Sequence, residues 1–296
     1  MGLFDGTLVL DGGLATELEA RGHELSGGLW SARLLRDAPE EVVAAHEAFF
    51  AAGAQVATSA SYQASFAGFA AQGLERRESA RLMRRSVELA RRAADNSAAD
   101  SSAAAPNPRL VAASVGPYGA VLADGSEFRG AYGLSHRELV EFHRPRMEVL
   151  AEAGPDVLAL ETVPDVDEAV AELEALDGIG LPAWLSFNIS GERTRAGQPM
   201  REAFAVAAGR EDIVAVGVNC CSPADAAAAV PVAREVTGKP VVVYPNSGEG
   251  WDAAARDWTG PSRFDAEQAR GWLGEGAALV GGCCRVSPAE IAELAR

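Results

Sequence analysis

The stretch DVLALETVPDVDEAVAELEALDGIGLPAWLSFNIS, residues 156–190, decides the fold. DVLALETV (156–163) and PAWLSFNIS (182–190) are near-continuous apolar runs, as expected of parallel strands buried on both faces. Between them DVDEAVAELEAL (165–176) has helical spacing and opens on an Asp, as helix starts tend to. The unit reads strand, helix, strand.

The same rhythm continues in both directions. Six more runs read as strands: TLVLDGG (7–13), AQVATSAS (54–61), RLVAASVGP (109–117), IVAVGVNC (213–220), PVVVYPNSG (240–248) and AALVGGCC (277–284). Helical periodicity falls at 39–53, 75–94, 135–154, 223–236, 264–276 and 287–296, and more weakly around PMREAFAVAAG (199–209). NSAADSSAAAPNPR (96–109) reads as a flexible surface loop. Eight strands alternating with eight crossovers predict an α/β fold, a (β/α)8 TIM barrel forming one domain over residues 1–296. A doubly wound open sheet is the competing reading, because strand count alone does not prove closure.

Composition narrows the function. The 296 residues carry 26 basic and 42 acidic side chains, a net charge of −16, which argues against nucleic-acid or anionic-membrane partners. Hydrophobic residues make up 48%, enough for a large core and incompatible with disorder. MGLFDGTLVL lacks the basic and long apolar regions of a secretory signal. Four cysteines fall as two adjacent pairs, Cys220-Cys221 and Cys283-Cys284, which is no disulfide framework. A reducing, cytoplasmic setting is expected, where clustered thiols serve as metal ligands or catalytic groups.

In parallel α/β folds chemistry sits at the carboxyl ends of the strands. Those ends read Asp11, Ser59 with Tyr62, Gly116, Glu161, Asn188, Asn219-Cys220, Tyr244 with Asn246, and Cys283-Cys284. Both cysteine pairs fall there. Their wide separation is unlike a local zinc knuckle, but the ends of strands six and eight converge on one rim. Three thiolates with an open fourth position make a catalytic zinc site, and soft sulfur ligands favour zinc over magnesium or calcium. Two pairs of buried thiols without metal remain the alternative. With three thiolates a zinc centre carries a charge of +2 − 3 = −1, which leaves a bound substrate sulfur electron-rich. Such a centre suits sulfur alkyl transfer better than the water activation of His- and carboxylate-ligated zinc.

DGGLATELEARG, LWSARLL, TSASYQASFAGFAAQG, ASVGPYGAVLADGSEFRG, FHRPR, ETVPDVDEA, GVNC, VVVYPNSGE and GGCCRVSP occur in this order between residues 9 and 288. Together they resemble the cobalamin-independent homocysteine S-methyltransferase family, especially members that use S-methylmethionine. GVNC followed by GGCC is the specific part. The resemblance implies a TIM barrel whose single Zn2+ is held by Cys220, Cys283 and Cys284, the groups that carry catalysis through the metal. It implies that homocysteine is bound by Asp11, the backbone at Gly12 and Glu161, with Asn219 a neighbour and Tyr62 on the substrate wall. The reaction implied is methyl transfer from a sulfonium donor, S-methylmethionine or S-adenosylmethionine, to the homocysteine thiolate, giving methionine. The expected partners are therefore small molecules.

Two other readings compete: methyl transfer to another thiol or selenol such as selenocysteine, and a zinc–thiolate redox sensor without turnover. Cys221 is expected to be packing rather than a ligand. Tyr62, Tyr118, Trp30 and Tyr244 are candidates for an aromatic wall around a sulfonium methyl group, each with core packing as its alternative. His23, His46, His136 and His143 do not read as ligands, and the charged helix 75–94 reads as a solvated face.

Overall fold

The computed structural model describes residues 4, 6–25, 30–99, 109–252 and 257–296. Eight parallel strands form one sheet: β1 Leu8–Val9, β2 Val56–Thr58, β3 Leu110–Val115, β4 Val157–Val163, β5 Ala183–Phe187, β6 Ile213–Asn219, β7 Val241–Tyr244 and β8 Ala277–Val280. Each pairs with its neighbours in sequence, and β1 also pairs with β8 through Leu8–Leu279 and Val9–Val280. A parallel bridge from Leu10 to Val56 joins β1 to β2. The Gln55 amide donates to Val9 O (2.7 Å) and the Asp11 amide to Val56 O (3.0 Å). The sheet therefore closes into the (β/α)8 barrel, and the open-sheet alternative is excluded.

Several expected strands are shorter than their apolar runs. TLVLDGG keeps only Leu8–Val9, and AALVGGCC ends at Val280, before its glycines and cysteines. The glycines allow the close backbone approach that turns the chain out of the sheet. A Cβ on Gly281 would crowd Leu10 Cβ at 2.5 Å. The helix expected at 75–94 runs Arg76–Ala99, into the segment expected as loop. Asn96 extends it by donating to Glu47 Oε1 (2.7 Å), and the rest of that expected loop, 100–108, lies outside the described residues. Two short antiparallel pairs, Ile189–Ser190 with Arg193–Thr194 and Gly250–Asp252 with Asp257–Thr259, lie outside the main sheet. Helix starts follow the polar residues that mark them in sequence: Ser135, Asp165, Ser222 and Asp265 each accept a backbone N–H of the first turn. Among the described residues no helix is long and apolar enough to cross a membrane.

Two cores lie on either side of the sheet. The helix-facing layer includes Leu158, Leu160, Val216 and Val218, while Val157, Ala159, Ala112, Ala215, Val242 and Leu279 fill the barrel interior around a fully buried Trp184. Alanines at 112, 159 and 215 make room for that indole, whose Nε1–H donates to Tyr244 Oη (3.0 Å). Gly217 is required here, because a Cβ would overlap the Val242 carbonyl. Side chains alternate across a strand, so the inward series continues upward to Ser114 on β3, Glu161 on β4, Ser186 on β5 and Asn219 on β6. The lower barrel is apolar and the upper barrel polar.

Outside the barrel, helix His136–Glu152 buries Arg146 completely. Its guanidinium donates to the carbonyls of Gly116 (2.9 Å), Tyr62 (2.9 Å) and Ser61 (3.2 Å), tying the loops above β2 and β3 together. Beside it His143 meets Glu168 (3.0 Å) and Glu172 (3.5 Å), all three buried, and Glu168 also accepts the Tyr118 amide (2.6 Å). Sequence periodicity gave no sign of this cluster; His143 and the two carboxylates form a compact group of possible ligand atoms. Burial keeps His143 neutral by lowering its pKa, and burial together with Glu168 pushes the Glu172 carboxyl up. The Arg146 charge supplies a fixed counter-ion within electrostatic reach of both carboxylates.

Removing that counter-ion strands three carbonyls and two carboxyls. Arg146→Met should therefore destabilise the protein by about 3 kcal/mol or more, because each buried carbonyl left without its donor costs about 1–3 kcal/mol. Arg146→Lys, which lacks the planar fork, should recover only part of the loss. Denaturant titration of the three proteins measures this, and a Met variant as stable as the parent contradicts the bracing role.

Candidate metal and substrate centre

The cysteines reach the rim from two directions. Cys220 follows β6 with a left-handed backbone (φ 52°), and its carbonyl accepts the side-chain amides of Asn188 (3.1 Å) and Asn246 (3.2 Å). Cys283 and Cys284 lie in the turn after β8. There Cys283 N donates to Pro245 O (2.8 Å), Cys284 O accepts from Ser247 N (3.0 Å), and Gly282 N donates to Asp11 O (3.0 Å). The Cys220 and Cys284 sulfurs are 3.6 Å apart, and those of Cys220, Cys283 and Cys284 all lie within 4.8 Å of one another. A tetrahedral ion with metal–sulfur bonds of about 2.3 Å has edges of about 3.8 Å, so the three donors fit zinc in both number and softness. Cys284 is held well below the ordinary thiol range by hydrogen bonds from Cys220 and Cys283. Cys221 is not in this group. It is fully buried in the helix-facing core, and burial pushes its thiol up to about 12.

Two carboxyls stand beside the sulfurs. Asp11, 2% exposed, accepts the Thr58 amide (2.7 Å) and the Thr58 hydroxyl (3.0 Å). Burial nevertheless raises it to about 8, with Glu161 adding to the rise. Glu161 accepts the Ser114 hydroxyl and also hydrogen-bonds Tyr244; burial raises it to about 7, and the Cys284 charge pushes the same way. Next to Asp11, Gly12 packs so closely on the Val286 carbonyl that a Cβ would overlap it. Among the described residues the Gly12 amide has no acceptor within the chain.

Asn219, expected as a substrate neighbour, is held by side-chain hydrogen bonds within the upper barrel. Its Oδ1 accepts the Thr162 amide (2.6 Å) and the Ser186 hydroxyl (2.8 Å), and its Nδ2 donates to Thr162 Oγ1 (2.7 Å). Thr162 has φ 61°, a conformation costly for a β-branched residue, at the point where the β4–β5 register shifts. Asn219 thus clamps the bulge that turns Glu161 into the mouth.

Tyr62 stands on the Cys220 and Glu161 side of the barrel. It hydrogen-bonds Thr162 and lies within electrostatic reach of Cys220 and Glu161, with its ring against Gly116, where a Cβ would come within 2.6 Å. Of the other expected aromatics, Tyr244 stands beneath the mouth, its hydroxyl accepting from Trp184 Nε1 and hydrogen-bonded to Glu161, whereas Tyr118 packs on Tyr132 (5.3 Å between centroids) and Phe142 (5.0 Å). The Trp30 side chain lies outside the described residues. Thr58, Ser114, Thr162 and Ser186, which hold the carboxyls and their strand, were not singled out in the sequence. The inward parity of β3 and β5 is the signal that could have found Ser114 and Ser186.

The raised carboxyls have a thermodynamic consequence. In metal-free protein Asp11 and Glu161 retain protons that the unfolded chain gives up near 3.8 and 4.5. The stability this contributes is complete below those values and drains away as pH rises to about 8 for Asp11 and about 7 for Glu161. Metal-free protein should lose stability from about pH 4.5 up to about pH 7 for Glu161 and about pH 8 for Asp11, by up to about 1.4 kcal/mol per pH unit for each group. Asp11→Asn should flatten that slope in denaturant titrations; an unchanged slope contradicts the assignment.

The family model for homocysteine S-methyltransferase matches residues 8–296. Homocysteine S-methyltransferase of Escherichia coli (strain K12) is 46% identical over 292 residues, 97% of this chain and 94% of that relative. A selenocysteine Se-methyltransferase of Brassica oleracea var. italica is 42% identical, over 97% of this chain and 87% of its own length. Among solved structures, the metallated form of the homocysteine methyltransferase MmuM from Escherichia coli superposes with a TM-score of 0.89 at 44% identity, covering 98% of this chain and 96% of that one. Agreement of sequence and fold over essentially the whole barrel makes this chain an enzyme that belongs to the homocysteine S-methyltransferase family.

Proposed function

We propose that the protein is a zinc-dependent methyltransferase that moves a methyl group from a sulfonium donor, S-methylmethionine in the first instance, to homocysteine. The observation that carries this reading is the convergence of the Cys220, Cys283 and Cys284 sulfurs with two buried carboxyls at one barrel mouth. Zinc held by the three cysteines supplies Lewis acidity that lets a bound thiol lose its proton near neutral pH.

The chain's own groups do the rest. Asp11 and Glu161 face the homocysteine ammonium, whose charge draws both carboxyls into their ionised forms. The free Gly12 amide faces the substrate carboxylate. Ser114 and Thr58 keep the two carboxyls aimed, and Asn219 keeps β4 bent so that Glu161 stays in the mouth. Tyr62 offers a ring face to the sulfonium methyl.

The homocysteine sulfur attacks the methyl carbon in line. A new sulfur–carbon bond forms as the bond to the sulfonium sulfur breaks, and the electron pair stays on the departing thioether. Thiolate and sulfonium become two neutral thioethers, so the step annihilates charge and gains from the dry, poorly screened barrel mouth. With S-methylmethionine both products are methionine. Selenocysteine is a second acceptor to consider, because the Brassica oleracea relative is named for it.

Reduced, zinc-loaded protein should form methionine from homocysteine and S-methylmethionine, and a chelator should abolish it. Cys283→Ser should lose both bound zinc and turnover, whereas Cys221→Ala should keep both. An active, zinc-free Ser variant would sink the ligand assignment. Direct competition between homocysteine and selenocysteine ranks the acceptors by kcat/KM.

A further inference from the structure

Two strand-end residues, Asn188 and Asn246, have no part in the mechanism above, yet both side chains converge on the backbone of Cys220. The reason that backbone needs holding lies in strand parity. On β6 Val216 and Val218 face the helices, while Ala215 faces the barrel interior. Side chains alternate along a strand, so continuing that pattern would send Cys220 outward and Cys221 into the mouth. The structure shows the reverse. The Cys220 sulfur lies 3.6 Å from that of Cys284, and Cys221 is fully buried in the helix-facing core. The switch occurs at Cys220 itself, whose φ of 52° is left-handed and costs energy for a residue with a Cβ. Glycine would adopt that conformation freely but carries no sulfur.

The carbonyl of Cys220 is gripped from two sides. Asn188 Nδ2 donates to it from just past the end of β5 (3.1 Å) and Asn246 Nδ2 from the turn after β7 (3.2 Å), so both lone pairs of the oxygen are used. Each amide is oriented by a second contact. Arg195 Nε donates to Asn188 Oδ1 (2.6 Å) and the Gly248 amide to Asn246 Oδ1 (2.9 Å), which leaves the NH2 end of each for Cys220. Their backbones are tied as well. Asn188 N donates to Val163 O (2.9 Å), Asn246 N to Cys221 O (3.0 Å), and on the other side Cys220 N donates to Tyr244 O (3.1 Å). The peptide after Cys220 therefore cannot turn toward the extended form without breaking two side-chain hydrogen bonds.

We propose that Asn188 and Asn246 are positioning residues that hold Cys220 in its left-handed turn and so make Cys220, rather than Cys221, the third sulfur of the metal centre. The inference rests on the zinc reading above and adds what selects between two adjacent cysteines. Both asparagines act on the ligand through its carbonyl. Without them the chain relaxes toward strand parity, which withdraws the Cys220 sulfur and offers that of Cys221 in its place.

The test is the zinc affinity of the reduced full chain by chelator competition, with denaturant stability of the metal-free and zinc-loaded protein read alongside. Asn188→Asp keeps the Arg195 contact but sets an acceptor against the Cys220 carbonyl, and Asn246→Ala removes the second donor at a half-buried position. Each should weaken zinc by about tenfold or more and destabilise the zinc-loaded protein more than the metal-free one. Cys221→Ala, silent in the parent, should weaken zinc by about tenfold more once both asparagines are replaced. Unchanged zinc affinity in both single variants, or equal destabilisation of the two states, marks a structural role and overturns the proposal. So does a Cys221→Ala change that stays silent in the doubly replaced protein. Turnover is read separately. A parent that binds zinc and responds to the variants as stated yet makes no methionine refutes the proposed reaction and leaves the clamp standing. A parent that binds no zinc overturns both.

Discussion

The barrel closes through Asp11. Its amide donates to Val56 O across the seam between the first and second strands, its carbonyl accepts from Gly282, and its carboxyl is gripped by Thr58. One residue thus joins β1, β2 and the turn that carries Cys283 and Cys284. An eight-stranded sheet has no free edge only if this seam is made; β1 already pairs with β8, and the seam brings that edge, with Asp11 and the cysteine turn, round to β2 and the strands beyond it. The candidate metal ligands and the carboxyls proposed for substrate meet at one mouth because the sheet is closed.

Closure also places unlike chemistry at the two ends of one cavity. Inward positions on each strand are apolar below, packed around Trp184, and polar above, from Ser114 and Glu161 to Asn219. The polar end carries several unfavourable burials: two carboxyls raised to about 8 and about 7, a β-branched residue at φ 61°, and a thiolate among thiols. Each is a cost in the empty protein and an advantage once a cation or metal arrives, because low dielectric strengthens whatever electrostatic contact is then made. Strain and unsatisfied charge at a functional site persist where the surrounding packing over-determines the geometry. The interlocked backbone hydrogen bonds of the turns after β1, β7 and β8 provide that here.

The loops above β2 and β3 are held from outside the barrel. Arg146 reaches them from a helix, and Glu168, on the helix after β4, accepts the Tyr118 amide. A buried cation surrounded by carbonyls and carboxylates is an expensive way to stabilise a fold, and a well-packed apolar side chain could match it. Its use here makes sense as register: groups on rigid helices set where the backbone of Tyr62, Gly116 and Tyr118 stands.

Sequence by itself determined the alternation of strands and helices, the helix starts at Ser and Asp, and the strand ends at which Asp11, Glu161 and the cysteines fall. These are local matters of periodicity and hydrogen-bonding side chains close in the chain, so a linear reading captures them. Cys221 was also separable from its neighbour, since it lies outside the GVNC and GGCC motifs and a buried cysteine ordinarily packs as a small hydrophobe. Closure of the sheet, the brevity of β1 and β8, the clamp of Asn219 on Thr162, the packing of Tyr118 on Tyr132 and Phe142, and the Arg146–Glu168–His143 cluster were decided by tertiary structure. Each depends on groups far apart in sequence meeting at a few ångströms, and their raised or lowered proton affinities come from burial, which no local pattern encodes.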